Sequence, residues 1–177
     1  MRKATSIPEH LTRARIDPIA QFMQEHDEAL VQLSLLRKSS AAIASEGYSI
    51  DEWRRLTKAV GFIRDEVTDH NSREEEALFP VLERYVEGPT ALMRNEHRIL
   101  KKEFVRLQKA YSALEKNHKD KAAARSLATI AQGIVKIMVN HIHKENHILF
   151  PLVQKFLTKD ALREIARRLT AAEISTL

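Results

Sequence analysis

A chain of 177 residues can bury one substantial core. Its four glycines and five prolines are few, and having no cysteine it excludes disulfides, thiolate metal ligands, iron–sulfur clusters and a cysteine nucleophile. The net charge of +5 is modest, and the basic clusters around Arg98, Lys101, Lys102, Arg106 and Lys109, and from Lys116 to Arg125, lack the aromatic interleaving of a nucleic-acid surface; they read as a solvated helix face.

Residues 1–16 are polar and basic and read as an N-terminal arm. Asp17-Pro18 has the form of an N-cap followed by proline in the first turn, and Gly47 stops the helix that it opens. Ser49-Ile50-Asp51-Glu52 has the form of a capping box, opening a second helix to Pro80 with one more turn to Tyr85. Gly88-Pro89 restarts the chain into a third helix ending near Lys116. A fourth runs from about Asp120 to Pro151, and a short amphipathic fifth from Asp160 to about Ala172. No unbroken run of about 18 apolar residues suggests a membrane span or a signal sequence, so a cytoplasmic setting with no membrane partner is expected.

Each long helix carries one apolar seam. Met93, His97, Leu100, Phe104, Leu107 and Tyr111 step by four and three, and Leu127, Ile130, Ile134, Met138 or Ile137, His141, Glu145 and Ile148 do much the same. This near-3.5 spacing predicts an all-α fold: an antiparallel up-down four-helix bundle over residues 17–155, with an additional C-terminal helix in 156–177. The bundle consists of two copies of a helix pair. His26, His70, Glu74, Phe79 and Pro80 recur 71 residues later as His97, His141, Glu145, Phe150 and Pro151.

Antiparallel helices bring both copies to one depth. His26 and His97 lie about 12 Å past Pro18 and Pro89, while the His-x-x-x-Glu pairs lie about 9–15 Å before Pro80 and Pro151. Residues four apart stack on one helix face, so each histidine and its glutamate reach the same centre. Only the carboxylate four residues after the histidine is common to both copies, which selects Glu74 over Glu75 and Glu76. Burying four imidazoles and two carboxylates without compensation costs several kcal/mol each, and a shared cation removes most of that cost.

The remaining histidines point elsewhere. His143 and His147 lie about 200° and 240° around the helix from His141, and His10 and His118 fall in the arm and a loop; all four read as surface residues. Glu25 and Glu96 also recur, but each is about 100° off its histidine and reads as a solvated charge at the seam's edge rather than a group that orients ligands.

His26, His70-x-x-x-Glu74, His97 and His141-x-x-x-Glu145, each helix pair closing with Leu-Phe-Pro, resemble the hemerythrin-like (HHE cation-binding) domains over roughly residues 17–155. The resemblance implies a non-haem di-iron centre, with His26, His70, His97 and His141 as terminal ligands and Glu74 and Glu145 as bridges. Manganese or zinc suits the same donors. Oxygen-carrying members have a further histidine where this chain has Lys101, and end their last motif in Asp at a five-residue spacing. The ligand set here looks more like that of bacterial iron-centre repair proteins, which carry an additional cysteine-containing N-terminal segment.

The resemblance thus implies a protein that binds, senses or reacts with oxygen, nitric oxide or peroxide in stress response or iron handling, as a monomer or homodimer. The alternative is an enzyme at the same centre, for peroxide disproportionation, nitric oxide reduction or iron-centre repair, with Lys101 a proton donor or a steric replacement for the missing ligand. Ferritin-type iron storage is disfavoured, because Val67 and Met138 stand where that family places a carboxylate three residues before each paired histidine.

Overall fold

The structure, a computed structural model, describes residues 17–175, with side chains as far as Ala171. The arm expected over residues 1–16, including His10, lies outside the described residues. Among the described residues every regular element is helical. Asp17 caps α1 (Pro18–Glu46) by accepting from the Ile19 N–H at 3.0 Å. Gly47 ends α1 at φ 98°, a value only glycine adopts freely, and donates its N–H to the Ile43 carbonyl.

Helix α2 spans residues 50–82, α3 is Thr90–Lys116, α4 is Lys121–Phe156 and α5 is Lys159–Ser175. Asp120 caps α4 by accepting from the Ala122 and Ala123 N–H groups. The capping box expected at the start of α2 does not form: Ser49 is extended, but its hydroxyl makes no capping bond.

The two Leu-Phe-Pro sequences do not end their helices. Each is preceded by a π turn, Glu74–Leu78 in α2 and Glu145–Leu149 in α4, and the helix then continues to Leu82 and to Phe156. Proline has no N–H for the carbonyl four residues back and its ring crowds that carbonyl, so the helix widens just upstream. In α2 the carbonyl thus released is that of Glu76, and Arg168 of α5 donates to it at 3.4 Å. A further π turn, Ile63–Val67, has no proline beside it.

Helix α1 lies against α2 and α4, and α3 against α4. The buried residues fall into two apolar clusters separated by a polar layer. On α1 the order is Phe22, His26, Ala29; on α2 it is Val67, His70, Glu74, Ala77; on α3, Met93, His97, Leu100; on α4, Met138, His141, Glu145, Leu149. Ala29, Val67, Leu100 and Met138 belong to the larger cluster. Phe22, Ala77, Met93 and Leu149 belong to the smaller one, which Ala161, Ile165 and Leu169 of α5 close. By length and composition α4 is apolar enough to cross a membrane; its apolar stripe, from Leu127 through Ile134 to Ile142, is buried in the larger cluster.

His118 is not the ordinary surface histidine that its loop position suggests. Its ring stacks on Tyr48 at 4.3 Å and meets Trp53 edge-on at 4.5 Å, and Trp53 in turn stacks on Tyr111. Aromatic contacts of this kind hold the loop against the starts and ends of neighbouring helices.

Candidate metal centre

The structure brings all six sequence-identified groups together. His26, His70, His97, His141, Glu74 and Glu145 are buried, both glutamates completely. His26 and His70 face each other with their Nε2 atoms 3.1 Å apart, and His97 and His141 do so at 2.9 Å. Each carboxylate reaches both pairs. Glu74 turns Oε1 toward His70 (3.7 Å) and Oε2 toward His97 (3.5 Å), while Glu145 turns Oε2 toward His26 (3.1 Å) and Oε1 toward His141 (3.0 Å).

The four Nδ1 atoms face outward and each has a partner. His70 Nδ1 is 2.7 Å from Glu25 and His141 Nδ1 is 2.8 Å from Glu96; His97 Nδ1 is 2.8 Å from Glu75 and His26 Nδ1 is 2.7 Å from Asn146 Oδ1. An ionised carboxylate only accepts, so these contacts hold a proton on Nδ1, and a neutral ring then carries its lone pair on Nε2. Four lone pairs then converge on two carboxylates. Although Glu74 and Glu145 lie close to ring nitrogens, none of their oxygens has a hydrogen-bonding partner in acceptable geometry. Ring nitrogens and carboxylate oxygens converging in a buried layer suit cations placed between them. Two overlapping groups could each hold a metal ion: His26, His70, Glu74 and Glu145, and His97, His141, Glu74 and Glu145.

The charges around the centre follow from the same contacts. Burial, with the neighbouring Glu145 charge, pushes Glu74 well above the usual carboxylate range. Burial opposes ionisation of Glu145 too, but contact with His141 and His26 outweighs it and holds that carboxyl well below the range. Burial lowers His70 despite Glu25, whereas Glu145 and Glu96 overcome burial at His141 and raise it. Glu25, partly buried, is held down to about 2 by His70 and Arg73.

Glu25 and Glu96 are therefore not solvated seam-edge charges. Each crosses to the histidine of the adjacent helix and is itself held by a cation, Glu25 by Arg73 at 2.8 Å and Glu96 by Lys144. Their offset from their own histidines hid this role, because they serve histidines on other helices. The repeat could have exposed it: Glu25 and Glu96, Arg73 and Lys144, and Glu75 and Asn146 all stand 71 residues apart. Lys101 is exposed, and the described contacts of the centre do not include it. His143 and His147 are exposed as expected, stacked on each other at 4.1 Å.

The family model for the Hemerythrin HHE cation binding domain matches residues 17–153. Similar proteins include the Iron-sulfur cluster repair protein YtfE of Yersinia pseudotuberculosis serotype IB (strain PB1/+), 26% identical over 137 residues, which cover 75% of this chain and 61% of the relative. The protein of the same name from Yersinia pestis (strain Pestoides F) has the same identity and coverage. The chain thus spans about three fifths of the length of these relatives. Because the family match begins at the cap of α1, ends in the last turns of α4 and encloses every member of the buried polar layer, the chain belongs to the hemerythrin HHE cation-binding domain family.

Proposed function

We propose that the chain holds two iron ions, one at His26 and His70 and one at His97 and His141, with Glu74 and Glu145 bridging them. The observation that carries this is the geometry of the carboxylates, each with one oxygen toward each histidine pair. The donor set, nitrogen and carboxylate with no thiolate, suits iron and also manganese or zinc. The antiparallel up-down four-helix bundle belongs to this reading: it is supported by His26 near the start of α1 meeting His70 near the end of α2, and His97 meeting His141 in the same way.

When bound, such a pair supplies open coordination positions and electrons for oxygen, nitric oxide or peroxide. The protein's share is to hold it. Glu25, Glu96, Glu75 and Asn146 fix the Nδ1 protons, which orients the Nε2 lone pairs inward and raises the basicity of the rings. Apolar layers flank the polar layer on both sides. The role in stress response or iron handling draws support from the similarity to iron-sulfur cluster repair proteins, which also favours the enzymatic alternative of iron-centre repair.

Metal analysis of protein expressed in iron-replete medium tests the reading, joined to spectra under oxygen, peroxide and nitric oxide. The expected result is close to two metals per chain, reduced in Glu74→Ala and Glu145→Ala. Sustained oxygen evolution from peroxide, lost in His70→Ala, marks an enzyme; stoichiometric ligand spectra alone mark a binder or sensor. Protein that takes up no metal and whose thermal stability ignores added iron overturns the proposal.

A further inference from the structure

The two copies of the repeat supply the same six inward groups but different surroundings. A cavity of about 360 Å³ reaches His26, His70, His141 and Glu145 between α1, α2 and α4, and α3 contributes nothing to its lining. Exposed Glu28 and Glu66 line its outer part. Deeper in lies Asn71, only 8% exposed, whose Oδ1 has no partner. Glu25 and Arg73 also line the cavity, but they form an ion pair with each other, and among the described lining residues Glu28, which accepts from Gln24 at 3.3 Å, and Glu66 have no cationic partner.

Seventy-one residues on, the counterparts of Glu28, Glu66 and Asn71 are Ile99, Ile137 and Ile142. These three polar side chains therefore belong to one copy alone. The bundle does not need it for packing, because the other copy builds the equivalent helix faces from isoleucine. Two carboxylates at the mouth of a low-dielectric cleft focus a negative potential that concentrates cations and repels anions. A buried carbonyl oxygen without a donor is suited to the water molecules that a divalent cation carries, since those waters donate outward. Uncharged oxygen or nitric oxide has no use for either feature.

We propose that this cavity is the passage by which hydrated divalent cations reach and leave the centre, with Glu28 and Glu66 drawing them to the mouth and Asn71 accepting from their hydration shell. This rests on the reading that the six buried groups bind metal. It makes the pair at His26 and His70, both on the cavity wall, the first to fill and the first to empty.

Anaerobic loading of the metal-free full chain with Fe²⁺ or Co²⁺, followed by stopped-flow absorbance, tests the passage. Replacing Glu28 and Glu66 together by glutamine should slow uptake at low ionic strength by roughly tenfold. The gap should close in about 0.5 M salt, where screening removes steering between exposed charges. The final stoichiometry and the melting temperature of the loaded protein should match the unmodified chain. Asn71→Leu, which places an apolar group where the other copy has Ile142, should slow uptake at both ionic strengths; Ile99→Gln with Ile137→Gln should leave it unchanged. Unmodified uptake rates in both the double glutamine variant and Asn71→Leu overturn the passage. Failure of the unmodified chain to take up metal at all overturns the reading beneath it.

Discussion

A neutral imidazole can present a lone pair inward only if its proton is held outside, and here each ring has such a holder. Removing one frees its ring to rotate or change tautomer. Glu25→Ala and Glu96→Ala should each weaken metal binding about 10- to 100-fold in chelator competition. Glu103→Ala, which removes an ion pair with exposed Arg106 away from the centre, should not. Equal affinities across the three variants would remove the orienting role. Glu25 also predicts a pH dependence. Its carboxyl is held down to about 2 from an ordinary 4.5, so its ionised form is favoured by folding. The stability it contributes is present above pH 4.5 and is lost as the pH falls from there toward 2. In metal-free protein, the melting-temperature gap between the unmodified chain and Glu25→Gln should be full at pH 6 and narrow steadily below 4.5.

At the scale of the element, the helices run through their prolines because the backbone widens before them and, in α2, because another element supplies a donor. Arg168 answers the Glu76 carbonyl that Pro80 cannot reach, so the last short helix is tied to the π turn that begins at Glu74. Pro80→Ala restores an N–H for that carbonyl. Arg168→Ala should therefore destabilise the unmodified chain by about 0.5–1.5 kcal/mol in denaturant titration, and by less in the Pro80→Ala background. Additive losses would show that Arg168 acts only through its ion pair with Glu164.

For the whole molecule, the polar layer divides the core into two apolar clusters, and this arrangement sets stability against binding. Glu74, fully buried and pushed well above the usual carboxylate range by burial and by Glu145, destabilises the metal-free fold, and a cation that relieved it would couple binding to folding. Glu74→Leu should thus melt higher than the unmodified chain when both are metal-free. Added Fe²⁺ should raise the melting temperature of the unmodified chain, by about 2.7 kcal/mol of stability at a hundredfold excess over Kd, and raise that of Glu74→Leu far less. A metal-free Glu74→Leu protein that melts lower would show that the carboxylate is satisfied without a cation.

The sequence by itself determined the helices and the composition of the polar layer. A seam of period near 3.5 fixes which face is buried, and a repeat of 71 residues on helices of similar length brings His26, His70, Glu74, His97, His141 and Glu145 to one level whatever the details of packing. It could not say which histidines face each other, since His26–His70 and His26–His141 are equally consistent with depth. Nor could it show that Glu25 serves His70, that Asn146 serves His26 across 120 positions of sequence, that His118 stacks among aromatic rings, or that the Ser49 hydroxyl leaves its cap unmade. Periodicity places a residue on a face, but a side-chain partner on another helix depends on how far the helices are rotated and shifted against each other. That relation is set by packing, and only the tertiary structure decided it.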